Sequence, residues 1–427
     1  MGHTAAKDAY RQLGDKLDGL ACRAPWSETF RAILKELYSE AEADLIVRMP
    51  YGLSDMERLE RTTKLGKTRL GGLLEELTAK GLVLDLWVGD RYFYAPSPFI
   101  IGIFEFTLMR TRGRLNTKAW AGLFHDYLES GAFWAANLGR GERVSVLRAL
   151  PQEGALPQEG HMEILDYEKA SAVVERAGRC AVSICACRHE KLHLGKKTCA
   201  VPLETCTAFG MAADYLIRHG LGREVSKAGM RDLFAASRDR RLVLCADNVQ
   251  RNISYVCHCC KCCCTALAGI TKHGYPNSVV TSGFIAKATN RPCSGCGLCV
   301  KACPVNAIAV ADKNPRIDET ACLGCGVCAL SCAQKALGLE RRAQMLIPPE
   351  TIFEKVILQS LEKGTLQNQL FDDPNSVTHR FLRGFLGGFL RLDPVKRALA
   401  SGLLRSGFLK TLKAGARRRG MGALAEL

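Results

Sequence analysis

Cysteine is the residue with chemistry to do in this sequence. There are 21 cysteines among 427 residues, and all but Cys22 and Cys180 fall between positions 185 and 332. The most regular spacing is Cys293-x-x-Cys296-x-x-Cys299-x-x-x-Cys303-Pro304. It recurs as Cys322-x-x-Cys325-x-x-Cys328-x-x-x-Cys332. Thiolates are ligands for soft metals, and three of them on one tight loop can cap three corners of a metal–sulfide cube. Such a loop needs small residues to wrap that closely, and Gly295, Gly297, Gly324 and Gly326 supply them. Two further groups carry the same chemistry. One is Cys185-x-Cys187-x₁₁-Cys199-x₆-Cys206. The other is Cys257-His258-Cys259-Cys260-Lys261-Cys262-Cys263-Cys264, six thiols in eight residues.

The repeated run resembles the bacterial-type ferredoxin domain with two [4Fe–4S] clusters, over about residues 281–340. The resemblance implies that one cluster takes Cys293, Cys296, Cys299 and Cys332. The other takes Cys322, Cys325, Cys328 and Cys303, since the fourth thiolate of each run reaches the other cluster. It also implies a pseudo-twofold repeat with short strands near 308–310 and 337–339. One departure is visible: the second run ends in Cys332-Ala333 where the family has Cys-Pro. That bears on the local turn and on solvent access, and it removes no ligand.

Cys185, Cys187, Cys199 and Cys206, with basic residues between them, suit a third anionic [4Fe–4S] cluster, with a structural zinc site as the rival. His189 and His193 sit one helical turn apart, where solvated or hydrogen-bonding roles are commoner than ligation. In the 257–264 block, Cys257, Cys260 and Cys264 have near-ferredoxin spacing, and Cys245 lies upstream as an outside ligand. Six thiols exceed what one cube takes from a loop. Either a cluster selects a subset, or two metal sites share the loop, or a vicinal pair is a redox dithiol. Residues 161–340 together are similar to a wider group of multi-cluster iron–sulfur proteins of anaerobic bacteria. The likeness rests on Cys185-Ala186-Cys187-Arg188-His189, on Pro202-Leu203-Glu204-Thr205-Cys206 and on the 257–264 block. That resemblance implies cofactors and no particular substrate. Cys22 and Cys180 stand alone and read as small buried residues.

The elements that must position these thiols read as an α+β protein. Residues 1–100 form a winged-helix-like domain, in which helices begin near Ser27, Asp55 and Thr68 and a hairpin turns at Gly89-Asp90. Residues 101–150 form a helical connector with a Trp120, Leu123, Phe124, Tyr127, Leu128 stripe, read as core or as a homodimer face. Residues 151–160 read as an exposed linker. A cysteine-rich domain follows over 161–280, then the ferredoxin-like ββαα repeat over 281–340. A basic amphipathic helical tail occupies 341–427.

The formal charge is +16, unevenly placed. Residues 1–100 hold 14 Lys+Arg against 15 Asp+Glu, which argues against a DNA-reading role for the winged-helix-like part. Residues 374–427 hold 11 against 2. There Phe381, Leu382, Phe385, Leu386, Phe389 and Leu390 form an apolar face flanked by Arg380, Arg383 and Arg391, suited to an anionic membrane surface or to a docking partner. Each oxidised cube adds about −2 against this total. No apolar span and no leader stand out, so a reducing, cytoplasmic setting is expected, with contact to the inner membrane face through the tail as one alternative and docking on the protein or a partner as the other.

These features read as an electron-transfer protein with three to four clusters serving redox partner proteins. The alternatives are a reductase subunit with a substrate-binding cluster in the 257–264 block, and a redox-sensing transcription regulator. No Rossmann or Walker glycine fingerprint is present.

Overall fold

The computed structural model describes residues 8–111, 115–156, 165–400, 402–418 and 422–426. It mixes helix and strand and divides into two compact units. Met1–Glu142 with Thr351–Leu427 form the first, and Arg143–Glu350 the second. The tail thus shares a unit with the N-terminal region, where the sequence suggested separate domains. The expected linker behaves differently too. Its described start is held down, because Gln152 donates its backbone N–H to Cys325 O and its side chain to Leu242 O. Residues 157–160 of it lie outside the described residues.

In the first unit, helices Glu28–Leu37, Met56–Thr63 and Lys67–Ala79 precede an antiparallel hairpin of β1 (Val83–Val88) and β2 (Arg91–Pro96). Ser27 caps the first helix by accepting from Phe30 N, and Asp55 caps the second by accepting from Arg58 N. Gly89 takes a positive φ of 67°, which the two-residue turn requires. A helix at Glu40–Arg48, closed by a Ser39/Glu42 capping box, was not anticipated from periodicity. The aromatic stripe of the connector is core. Tyr127 stacks on Phe30 at 5.1 Å, and Phe99 meets Tyr127 edge-on at 4.9 Å. Such pairs add about 0.5–1.5 kcal/mol each beyond burial.

The C-terminal helices of this unit begin at Ile352–Lys363. Lys363 Nζ donates to Ala21 O at 3.0 Å, Asn368 to Gly19 O at 2.9 Å, and Arg58 pairs with Asp372 at 2.6 Å. Helix Val377–Leu390 splits its apolar face. Leu390 is buried and Leu382 and Leu386 are half-buried, while Phe381, Phe385 and Phe389 stay 54–69% exposed. No helix among the described residues is long and apolar enough to cross a membrane.

The second unit is built on a seven-stranded sheet. Its strands are β3 (Leu147–Leu150), β4 (Cys180–Ile184), β5 (Glu204–Phe209), β6 (Gly222–Glu224), β7 (Val243–Asp247), β8 (Tyr255–Cys259) and β9 (Val279–Val280), in the order β6-β4-β5-β8-β7-β3-β9. All neighbours are antiparallel except β3 and β9. Two small ribbons follow. β10 (Phe284–Ala288) pairs with β13 (Leu337–Arg341), and β11 (Ile308–Ala311) with β12 (Asn314–Ile317). The expected strands near 308–310 and 337–339 are among them.

Lys16 yields a stability prediction for the first unit. Its Nζ donates to Met49 O and lies 3.5 Å from the Tyr51 ring centroid. Burial pushes its pKa down to about 7, with Asp372 opposing and Arg383 assisting. The unfolded chain, with a lysine near its ordinary value of about 10.4, binds the extra proton between these limits, so stability rises with pH across that window. From pH 7 to pH 10 the urea midpoint of the wild type should therefore rise relative to that of Lys16→Met. Parallel pH profiles for the two proteins would refute this.

Candidate metal centres

Strand register brings the first thiols together. Cys257 on β8 lies opposite Cys206 on β5 and opposite Cys245 on β7. Antiparallel partners point to the same face, so the three form a row across the sheet, and Cys259 joins them two residues along β8. His258 points the other way. It packs edge-on against Phe234 at 4.7 Å and bonds Ser237 Oγ at 2.6 Å. Burial, together with the nearby Arg188 charge, pushes it down to about 3, so it is a neutral core imidazole.

Two helix starts complete the group. Cys185 is the N-terminal cap of Ala186–His193, and Cys264 that of Thr265–Thr271. The Cys187 thiol sits against those of Cys185 and Cys264, and Cys264 against Cys259. Cys259 in turn meets Cys245 and Cys257, and Cys257 meets Cys206. Seven thiols, those of Cys185, Cys187, Cys206, Cys245, Cys257, Cys259 and Cys264, thus make one nest, with Cys245, Cys259 and Cys264 buried and the other four half-buried. Hydrogen bonds from Cys185 and Cys264 hold Cys187 well below the usual thiol range, and bonds from Cys206 and Cys259 do the same for Cys257. The Arg188 guanidinium, 1% exposed, stands at the edge of this nest. It donates to Thr205 Oγ1 and to His258 O, while its buried Nε has no partner. An unpaired donor of a buried cation beside thiols is the environment an anionic cluster fits.

Cys199 is not in this nest. It lies with Cys260, Cys262 and Cys263, their sulfurs all within 4.8 Å of one another. The four-cysteine set expected from residues 185–206 is therefore divided, and so is the Cys257, Cys260, Cys264 trio. The reason is the strand order: β5 beside β8 carries Cys206 to Cys257, while the turn after β8 swings Cys260 towards the loop that bears Cys199. His189 and His193 bond each other, Nε2 to Nε2, at 2.9 Å.

In the paired run, Cys303, Cys322, Cys325 and Cys328 line a single apolar cavity with Pro304, Val305 and Leu323. Burial pushes Cys325 up, and Cys328 to about 12, so these thiols bear negative charge only at a cost that a bound cation offsets. Cys293 and Cys332 act electrostatically on Cys299 and are half-buried, and Cys296 is exposed. The Leu298 N–H and the Ser294 side chain lower Cys296. The two halves share their local geometry. Ala307 N donates to Cys303 Sγ at 3.2 Å and Ala336 N to Cys332 Sγ at 3.3 Å. Asn306 and Lys335, three residues past each cysteine, have φ of 58° and 52°. The turn is thus kept where Ala333 replaces the proline. Cys22 and Cys180 are buried and stand apart.

Residues 292–336 match the family model of the 4Fe-4S dicluster domain. No curated protein and no solved structure matches the chain. The match and the cysteine-rich sites together identify [4Fe–4S] clusters as its cofactors.

The glycines of this domain are not equivalent. Gly324 (φ 67°) and Gly297 (φ 70°) both need left-handed backbone, but a Cβ at Gly324 would strike Phe284 O and Ser282 Oγ, whereas one at Gly297 would meet nothing. Gly324→Ala should lower the iron and sulfide content by about four per chain, and Gly297→Ala should leave it intact at a stability cost of about 1 kcal/mol. Equal iron loss in both variants would contradict this.

Proposed function

We propose that the chain is an electron-transfer protein. Its cluster-bearing ligands would be Cys293, Cys296, Cys299 and Cys332 for one cluster, and Cys303, Cys322, Cys325 and Cys328 for the second. A third would draw its ligands from the seven-thiol nest. A [4Fe–4S] cluster, when bound, takes up and releases one electron; the chain positions it and sets its potential through burial, cations and N–H···S bonds.

The observation that carries this reading is graded burial. The Cys296 end of the paired run is exposed, whereas the Cys303 cavity is buried. Lys261, in the turn after β8, donates to Asn306 at 2.7 Å and acts on Cys303, tying the turn beyond the nest to the inner half of the ferredoxin-like repeat. That order supports a path from a surface cluster inward to the nest. The open ends would meet redox partner proteins.

The N-terminal helices and hairpin, near neutral and with Glu75 and Glu76 exposed on helix Lys67–Ala79, we assign to protein contact and not to DNA. The exposed Phe381, Phe385, Phe389 row, beside the exposed Arg380 and Arg391, fits the headgroup region of an anionic membrane.

Two outcomes test the reading. Cys185→Ser with Cys187→Ser should remove about four irons from anaerobically purified protein and leave the EPR signals of the paired run unchanged. Retention of all iron would exclude a cluster in the nest. Replacing Phe381, Phe385 and Phe389 with serine should cut sedimentation with phosphatidylserine vesicles at least about fivefold. Unchanged sedimentation would discard the membrane contact.

A further inference from the structure

Sulfur spacing separates two kinds of metal chemistry in this chain. Cys199 Sγ lies 3.7 Å from Cys260 Sγ and 3.9 Å from Cys263 Sγ. Cys262 Sγ lies 3.7 Å from Cys260 Sγ and 3.5 Å from Cys263 Sγ. A single tetrahedral ion with metal–sulfur bonds of about 2.3 Å demands an edge of about 3.8 Å between sulfurs. A cube holds its four cysteine sulfurs roughly 6.5 Å apart, because four irons stand between them. Among the described residues, this is the one group of three or more potential ligands with such mutual closeness. The eight cysteines of the dicluster match form no such group, as ligands of cubes should not.

We propose that Cys199, Cys260, Cys262 and Cys263 bind one mononuclear metal ion, zinc(II) or iron, as a closed tetrathiolate separate from every cube. The inference does not depend on the electron-transfer reading. The surroundings suit it. Cys260 and Cys263 pack with Val201 and Leu242, which keeps water from the inner side, while Cys262 faces solvent as an entry point. Four thiolates around a divalent ion carry about −2. The Arg188 guanidinium lies against the Cys260 thiol, and Lys197 donates to Cys199 O, so cations stand on two sides. With four protein ligands no position remains for substrate, which marks a structural role. The ion would staple two loops 61 residues apart and so fix the turn that leads from Cys259 to Cys264 in the nest.

Metal and acid-labile sulfide are counted on the anaerobically purified full chain. About one zinc per chain is expected, or about one iron in excess of sulfide; the first identifies zinc and the second a sulfide-free iron. Cys262→Ser and, separately, Cys199→Ser should remove that one ion and leave sulfide unchanged. Cobalt(II) restored to stripped protein should give the visible bands of a tetrahedral thiolate complex, lost in Cys262→Ser. Wild type with neither zinc nor excess iron would overturn the proposal. Loss of about four irons and four sulfides together in Cys262→Ser would overturn it as well.

Discussion

Eleven thiols between residues 185 and 264 are gathered beside one buried cation, and the charge balance around Arg188 is the condition on which this part of the protein rests. Thiolates taken out of water repel one another and lose hydration. The sheet brings them together regardless, because register across β5, β8 and β7 makes Cys206, Cys257 and Cys245 neighbours. Arg188 faces Cys185 and Cys259 on one side and Cys260 on the other, so a single guanidinium serves both thiol groups. It is held there by Thr205 and by the His258 carbonyl, both on the strands that carry the cysteines. Neutral His258 adds no second charge to the face behind.

The ferredoxin-like repeat solves the same problem by different means. Four of its cysteines are spread around one cavity instead of crowded, and backbone N–H groups bond two of its sulfurs. The matched N–H···S bonds at Cys303 and Cys332, each with a left-handed residue in between, show that the sequence repeat extends to individual hydrogen bonds. Unequal burial of the two halves breaks that symmetry. Cysteines that differ this much in burial would give the clusters they hold different solvation, a principal determinant of cluster potential.

The first unit has a separate economy, built on an aromatic core and on tail residues anchored to the N-terminal helices. Helix Val377–Leu390 uses one apolar side, Leu382, Leu386 and Leu390, for packing and leaves the phenylalanines outside. The three exposed phenylalanines form a row on a helix that also carries Arg380 and Arg383.

Much was legible in the sequence because it is local. Loop-borne thiolates with Cys-x-x-Cys spacing, helix caps at Ser27 and Asp55, and the Gly89-Asp90 hairpin all follow from neighbours in the chain, where backbone geometry leaves few choices. The grouping of the other thiols was not legible. Cys199 is nearer in sequence to Cys206 than to Cys260, yet it belongs with Cys260, because strand order and the turn after β8 decide which side chains meet. The same holds for the two sides of the tail helix: periodicity marks all six apolar residues alike, and only packing against the unit distinguishes leucine from phenylalanine. Ligand type was determined by sequence; which sulfurs share a metal, and at what separation, was decided by tertiary structure, since distance in space between remote segments is not a local property.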